Sequence, residues 1–162
     1  MPSAIDRRCA ELGLVLPAAG SPAGNYVPYV IAGDLVFISG QVCRKDGKLS
    51  CAGKVGRDVT VEDAQQAALV CALNLIAHLK AACEGDLDRV VRCVRLSGFV
   101  NSDPEFKDHP AVINGASDVM IQVFGERGRH ARTALGVAAL PSNASVEVEG
   151  IFQIAMPQGA RP

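Results

Sequence analysis

The sequence predicts an α+β domain in which two helices pack on one face of a mixed β-sheet. Three observations predict it. The 162 residues are 49% hydrophobic and 20% charged, enough to bury one core and about the length of one domain. Two segments carry apolar residues at helical spacing, and the segments around them are strand-like runs bounded by Gly, Pro and Asn. Their order along the chain is ββ-α-β-α-ββ, with no internal repeat or linker. Residues 1–22 read as an N-terminal extension, 23–156 as a single domain and 157–162 as a loose tail.

Residues 3–13 suit a short polar helix ended by Gly13, and the Pro and Gly residues of LPAAGSPAG (16–24) oppose any regular element. YVPYVIAGDLVFISGQV (26–42) reads as two strands around a Gly33-Asp34 turn, followed by a loop with a small hairpin at Asp46-Gly47. Thr60 and Asp63 resemble a capping box. Behind them Ala64, Ala67, Ala68, Cys71, Leu75, Ile76 and Leu79 recur at helical spacing, so residues 61–83 are predicted as a helix with one apolar stripe, closed by Gly85. LDRVVRCVRLSGFV (87–100) is strand-like, and simple alternation puts Val91, Cys93 and Arg95 on one face and Arg92, Val94 and Leu96 on the other. After a turn-rich connection at 101–110, residues 111–125 form a second helix with Val112, Ala116, Val119, Met120 and Val123 inward and Gly125 as its stop. Two strands, 131–140 and 145–155, close the chain around the turn Pro141-Ser142-Asn143-Ala144.

Composition narrows the function. Lys and Arg number 16 against 17 for Asp and Glu, a net charge of -1, which gives no electrostatic reason to bind nucleic acid or an anionic membrane. Aromatics are 4% and Trp is absent, against a platform for stacking bases. The six cysteines are scattered with no C-x-x-C, and read as reduced thiols serving as small core hydrophobes. The start MPSAIDRRCAELG lacks the apolar stretch of a secretory signal, and the apolar run from Ala64 to Cys83 is broken by Gln65, Gln66, Asn74, His78 and Lys80. A cytoplasmic protein is expected.

The last two strands hold the residues suited to chemistry. Alternation puts Arg132, Ala134, Gly136 and Ala138 on one face of their strand, and Thr133, Leu135, Val137 and Ala139 on the other, with the second set expected toward the helices. The first set offers a hollow with a bidentate guanidinium fork for a carboxylate or phosphate at one end; the alternative is an arginine paired with a surface acid beside a close-packed interface. Glu147 and Glu149 share a face, as a general base with a partner or as a solvated pair. GERGRHAR (125–132) is locally basic and reads as a solvated loop or a phosphate patch. His78 reads as a helix-surface or boundary residue without metal partners, and His109 as a turn residue without a role. His130, two residues before Arg132, stands at the strand entrance. A G-x-S-x-G elbow, a P-loop and a dinucleotide fingerprint are all absent.

AGNYVPYV, ISGQV, the helix pair and above all ARTALGVAALP followed by VEVE resemble the YjgF/RidA family, often labelled endoribonuclease L-PSP, over about residues 23–155. The resemblance implies a chorismate-mutase-like subunit that forms homotrimers with three intersubunit clefts. It also implies hydrolysis of reactive 2-imino or enamine acids to 2-keto acids and ammonia, without a cofactor or metal. It makes Arg132 the clamp for the substrate carboxylate and Glu147 the acid that positions water. Tyr26, Ser39 and Asn114 become polar positions of the cleft, and Arg132 and Glu147 are expected on paired strands. An imine carbon is already electrophilic when protonated, so a fork, a placed water and an excluded solvent suffice.

The sequence departs from the best-known deaminases at His130, Thr133 and Ala134, in its extension, in the loop from Arg44 to Arg57 and near Asp103 to Pro110. A trimeric binder of small carboxylates that does not turn them over is the alternative. An endoribonuclease is disfavoured, because the sequence offers neither a His pair nor a basic groove.

Overall fold

The structure is a computed structural model that describes residues 1–156; the tail expected from Pro157 lies outside the described residues. The strands of its main sheet are β1 (Tyr29–Ala32), β2 (Leu35–Val42), β5 (Val90–Asn101), β6 (Ala131–Val137) and β7 (Val146–Ile154), in the order β1-β2-β7-β5-β6. Neighbours are antiparallel except β5 and β6, so the sheet is mixed. The expected hairpin at Asp46-Gly47 is β3 (Arg44–Lys45) with β4 (Lys48–Leu49), and both turn residues take positive φ.

One face of the sheet carries α2 (Val61–Ala82) and α3 (His109–Phe124), the two expected helices, and α1 (Ala4–Glu11) packs at their side. Thr60 caps α2 by accepting from the Asp63 N–H, and Gly125 ends α3 with φ 62°. The small α1 is pinned at both ends of its first turn. Ser3 and Asp6 form a reciprocal capping box, and the Asp88 carboxylate accepts from the N–H groups of Ala4 and Ile5. Between helices and sheet lie Val36, Leu75, Ile76, Leu79, Leu96, Val100, Ile113, Met120, Val146, Val148 and Phe152, all fully buried. Each large side chain taken from water there contributes roughly 1.5–3 kcal/mol.

Several expectations are corrected. Residues 87–89 form a 3-10 turn, and β5 begins at Val90. Its alternation breaks twice, at irregularities between Val90 and Arg92 and between Cys93 and Arg95. Cys93 is therefore buried with Leu96, and Arg95 is exposed rather than sharing Cys93's face. α3 starts at His109, because Pro110 is tolerated in a first helical turn. His78 is buried: Leu75 through Leu79 are all covered, so the later turns of α2 have more than one buried side.

The largest correction concerns β6. It does not pair with β7, because β5 lies between them. The β5-α3-β6 crossover returns the chain parallel to β5 on its outer side, while β7 occupies the inner side. The face of β6 that meets the helices is also the opposite one. Arg132, Ala134 and Gly136 point to α3, whereas Leu135 is 51% exposed on the open face. Small residues there do not leave a hollow; they admit α3. A Cβ at Gly136 would overlap the His109 ring and the Ser102 hydroxyl.

Candidate functional site

The described residues place the candidate side chains in two groups. The first lies where β6 meets α3. The Arg132 Nη1 donates to Asn114 Oδ1 at 2.7 Å and to Ser117 Oγ at 3.1 Å. Asn114 and Ser117 stand three residues apart and so share one face of α3. Ser117 Oγ also meets His130 Nε2 at 2.9 Å, and His130 Nδ1 lies 2.6 Å from the Gly128 carbonyl. Burial first, then the charge of Arg132, push the His130 ring below its usual pKa, against the opposing pull of the Gly128 carbonyl. Among the described residues Arg132 forms no ion pair with a carboxylate.

The second group lies where β2 meets β7. The β2–β7 register shifts between Ile38 and Gln41, and this irregularity carries Ser39 and Gly40. Ser39 Oγ donates to the Val27 carbonyl at 2.8 Å, and its N–H donates to Pro28, so the Tyr26–Pro28 segment is held beside it. Tyr26 is half exposed, with its hydroxyl accepting from the Ala23 N–H at 3.3 Å. Glu147 packs against Gly40 so closely that a Cβ there would overlap its carboxylate. Glu147 is half-buried, and among the described residues no side chain donates to it. Burial first, then the charge of Glu149, push its carboxyl above the usual range.

The structure thus brings Arg132 to Asn114, and sets Glu147 against Gly40, whose neighbour Ser39 holds the Tyr26–Pro28 segment, but it does not bring the two groups together. Arg132 stands opposite Leu96 and Glu147 opposite Phe99, three residues apart along β5, with β5 itself between. That is about 10 Å along and about 10 Å across the strands. Their side chains also leave opposite faces. Arg132 reaches α3, while Glu147 alternates with the buried Val146 and Val148 and shares the open face with Leu135. The expectation of Arg132 and Glu147 on paired strands is therefore corrected.

The open face carries Val30 and Phe37, 52% and 42% exposed, next to Ile151 in register. Arg95 donates to Thr133 across the β5–β6 pair. A depression of about 320 Å³ lies there, lined by Phe37, Ile38, Arg95, Ser97, Glu149, Gly150 and Ile151; neither Arg132 nor Glu147 lines it. No group of three His, Cys, Asp or Glu among the described residues is arranged to hold a metal ion. None of the described helices is long and apolar enough to cross a membrane.

Sequence reasoning missed Ser117 and Gly40. Ser117 sits within an apolar helical stripe, and only its spacing from Asn114 marks it. Gly40 lies in the ISGQV motif, where its lack of a side chain is the signal. The six cysteines are free, and five are buried. Cys43 Sγ donates to the Cys51 carbonyl at 3.2 Å, and Cys71 Sγ to the Val146 carbonyl at 3.5 Å.

Comparison with known proteins agrees with this fold. Residues 6–153 match the family described as "YjgF/chorismate mutase-like, putative endoribonuclease". The chain is 49% identical over 145 residues to the protein TCP17 of Trypanosoma cruzi, covering 89% of this chain and 90% of that protein. It is 31% identical over 138 residues to a 2-iminobutanoate/2-iminopropanoate deaminase of Dermatophagoides farinae, covering 85% and 92%. It superimposes on the crystal structure of Atu1372 from Agrobacterium tumefaciens, a protein of unknown function, with TM-score 0.88 and 50% identity, covering 93% and 92%.

Proposed function

Because the chain belongs to the YjgF/chorismate mutase-like family, we propose that it hydrolyses reactive 2-imino or enamine acids to 2-keto acids and ammonia. We further propose that it works as a cytoplasmic homotrimer whose sites form between copies. The single observation that carries this reading is the state of Arg132. Its guanidinium is fixed by two neutral oxygens, which occupy both N–H groups of Nη1. Nε and Nη2 remain as a planar fork of the shape a carboxylate takes.

The split of the candidate residues over two regions supports sites shared between copies, as does the partly apolar open face of the sheet. In that arrangement Arg132 and Asn114 of one copy face Glu147, Ser39 and Tyr26 of the next. The fork holds the substrate carboxylate, and the protonated imine carbon sits beside a water on Glu147. A carboxylate with a raised pKa is the stronger base. It takes a proton from the water as oxygen bonds to carbon, returns it to nitrogen, and takes the adduct's hydroxyl proton as the C–N bond breaks, that proton then leaving with ammonia as ammonium. One water is consumed, and the 2-keto acid and ammonia are released. The deaminase relative, 31% identical, supports this chemistry. A ribonuclease reading has less support: His109 and His130 engage Ser102 and Ser117 at separate turns of α3.

The test generates 2-iminobutanoate in situ with a pyridoxal-phosphate dehydratase and follows 2-ketobutanoate release. Acceleration by this protein is expected. No acceleration with several imino acids, together with tight binding of 2-keto acids, overturns the enzyme and leaves a carboxylate-binding protein.

A further inference from the structure

We propose that Ser117 and His130 are positioning residues: a neutral relay that aims the Arg132 guanidinium at the substrate carboxylate without cancelling its charge. The proposal rests on the reading of Arg132 as a carboxylate clamp and adds to it the device that sets the clamp.

With the His130 ring neutral, the hydrogen-bond inventory of the group allows one assignment. A backbone carbonyl only accepts, so the 2.6 Å contact with Gly128 places the proton of His130 on Nδ1. A neutral ring then offers a bare Nε2, and the Ser117 hydroxyl donates to it at 2.9 Å. With its single proton spent there, Ser117 Oγ presents lone pairs to Arg132 Nη1, from which it accepts at 3.1 Å. With a neutral ring, reversing any link would set two donors or two acceptors against each other, whereas a protonated ring would donate from Nε2 and turn the Ser117 proton away. Low solvation and the adjacent guanidinium both keep the ring neutral.

The relay is anchored in the backbone. A Cβ at Gly128 would overlap the Met120 carbonyl, so the turn after α3 packs directly on the helix that carries Ser117. His130, Ser117 and Asn114 thereby hold one arm of the guanidinium with neutral groups only. A carboxylate at 114 or 117, the two positions that touch the guanidinium, would compete with the ligand for its charge. The cost of ordering a long side chain is met before the ligand arrives.

The test measures 2-oxobutanoate affinity by calorimetry, and KM and kcat with the imine generated in situ, for Ser117→Ala, His130→Phe, His130→Gln, the double variant Ser117→Ala with His130→Phe, and Arg132→Ala. S117A and H130F are each expected to weaken binding and raise KM on the order of ten-fold, with kcat nearly unchanged. H130Q, whose amide oxygen still accepts from Ser117, is expected to stay within about three-fold of the parent. In the S117A background, H130F should add less than about two-fold, because the link is already broken. Additive losses, or wild-type affinity in S117A, overturn the relay. Should H130F fail to fold, S117A and H130Q decide between them. Arg132→Ala separates the layers: wild-type affinity there overturns the clamp itself, whereas lost affinity there beside a normal S117A overturns the relay alone.

Discussion

The two halves of the candidate site are built on opposite strategies. The arginine half is held: both side-chain hydrogen bonds of Arg132 among the described residues go to neutral groups on α3, and Nε and Nη2 stay open. The glutamate half is unsatisfied: Glu147 is half-buried beside Glu149 and lies against a glycine at a β2 irregularity, without a side-chain donor among the described residues. A clamp has to be rigid and keep its charge, whereas a base has to hold its proton affinity high. In the proposed roles, the fold would supply the first by hydrogen bonding and the second by withholding it.

The largest expected effect breaks the site at both ends. Arg132→Ala and Glu147→Gln should each lower kcat/KM on the order of 10²–10⁴-fold. If each site takes its arginine from one copy and its glutamate from the next, the two variants refolded together restore it. Random mixing in equal amounts leaves about a quarter of the interfaces with both residues intact, so about a quarter of the parent activity returns. A mixture as inactive as its components would place both residues in one copy's site and overturn the division.

A smaller effect separates the halves by stability. Gly136→Ala drives a methyl into the His109 ring and the Ser102 hydroxyl, under the arginine half, and should cost about 1–3 kcal/mol in denaturant unfolding. Gly40→Ala pushes on the end of the Glu147 side chain, which faces the open surface. It should cost activity well before stability. Equal losses of both properties in both variants would erase the distinction.

The smallest effect is a shift along the pH axis. Glu147 binds its proton more tightly in the folded protein than in the unfolded chain, so stability falls as pH rises from the ordinary carboxylate range through the raised folded pKa. Glu147→Gln should therefore raise Tm at neutral pH while removing activity. Activity needs the ionised form, so its acid limb should lie above the ordinary carboxylate range, and Glu149→Gln should move that limb down by removing the repelling charge. An acid limb unmoved in E149Q would deny Glu149 its part.

How much of this was legible in the sequence divides along the same line as local and non-local structure. Helical spacing behind Thr60, the Asp46-Gly47 turn and the strand runs are local signals, and the elements lie where those signals put them. The order of strands is not local. Nothing in ARTALGV or VEVEG says that β5 comes between them, and alternation alone cannot say which face of β6 meets α3. The irregularities in β5 break the count for the same reason: an extra residue flips every side chain beyond it, as Arg95 shows. Arg132, Glu147, Asn114, Ser39 and Tyr26 could be picked out by motif. Ser117 could not, because a serine inside an apolar stripe reads as packing until its neighbours in space are known.

If sites form between copies as proposed, the strand that separates Arg132 from Glu147 has a thermodynamic consequence. A site completed only by association obeys mass action, so dilution below the assembly constant should switch off turnover more steeply than it unfolds the chain. By the same linkage, a bound 2-keto acid bridging the two halves should hold the copies together, and occupancy and assembly would each report on the other.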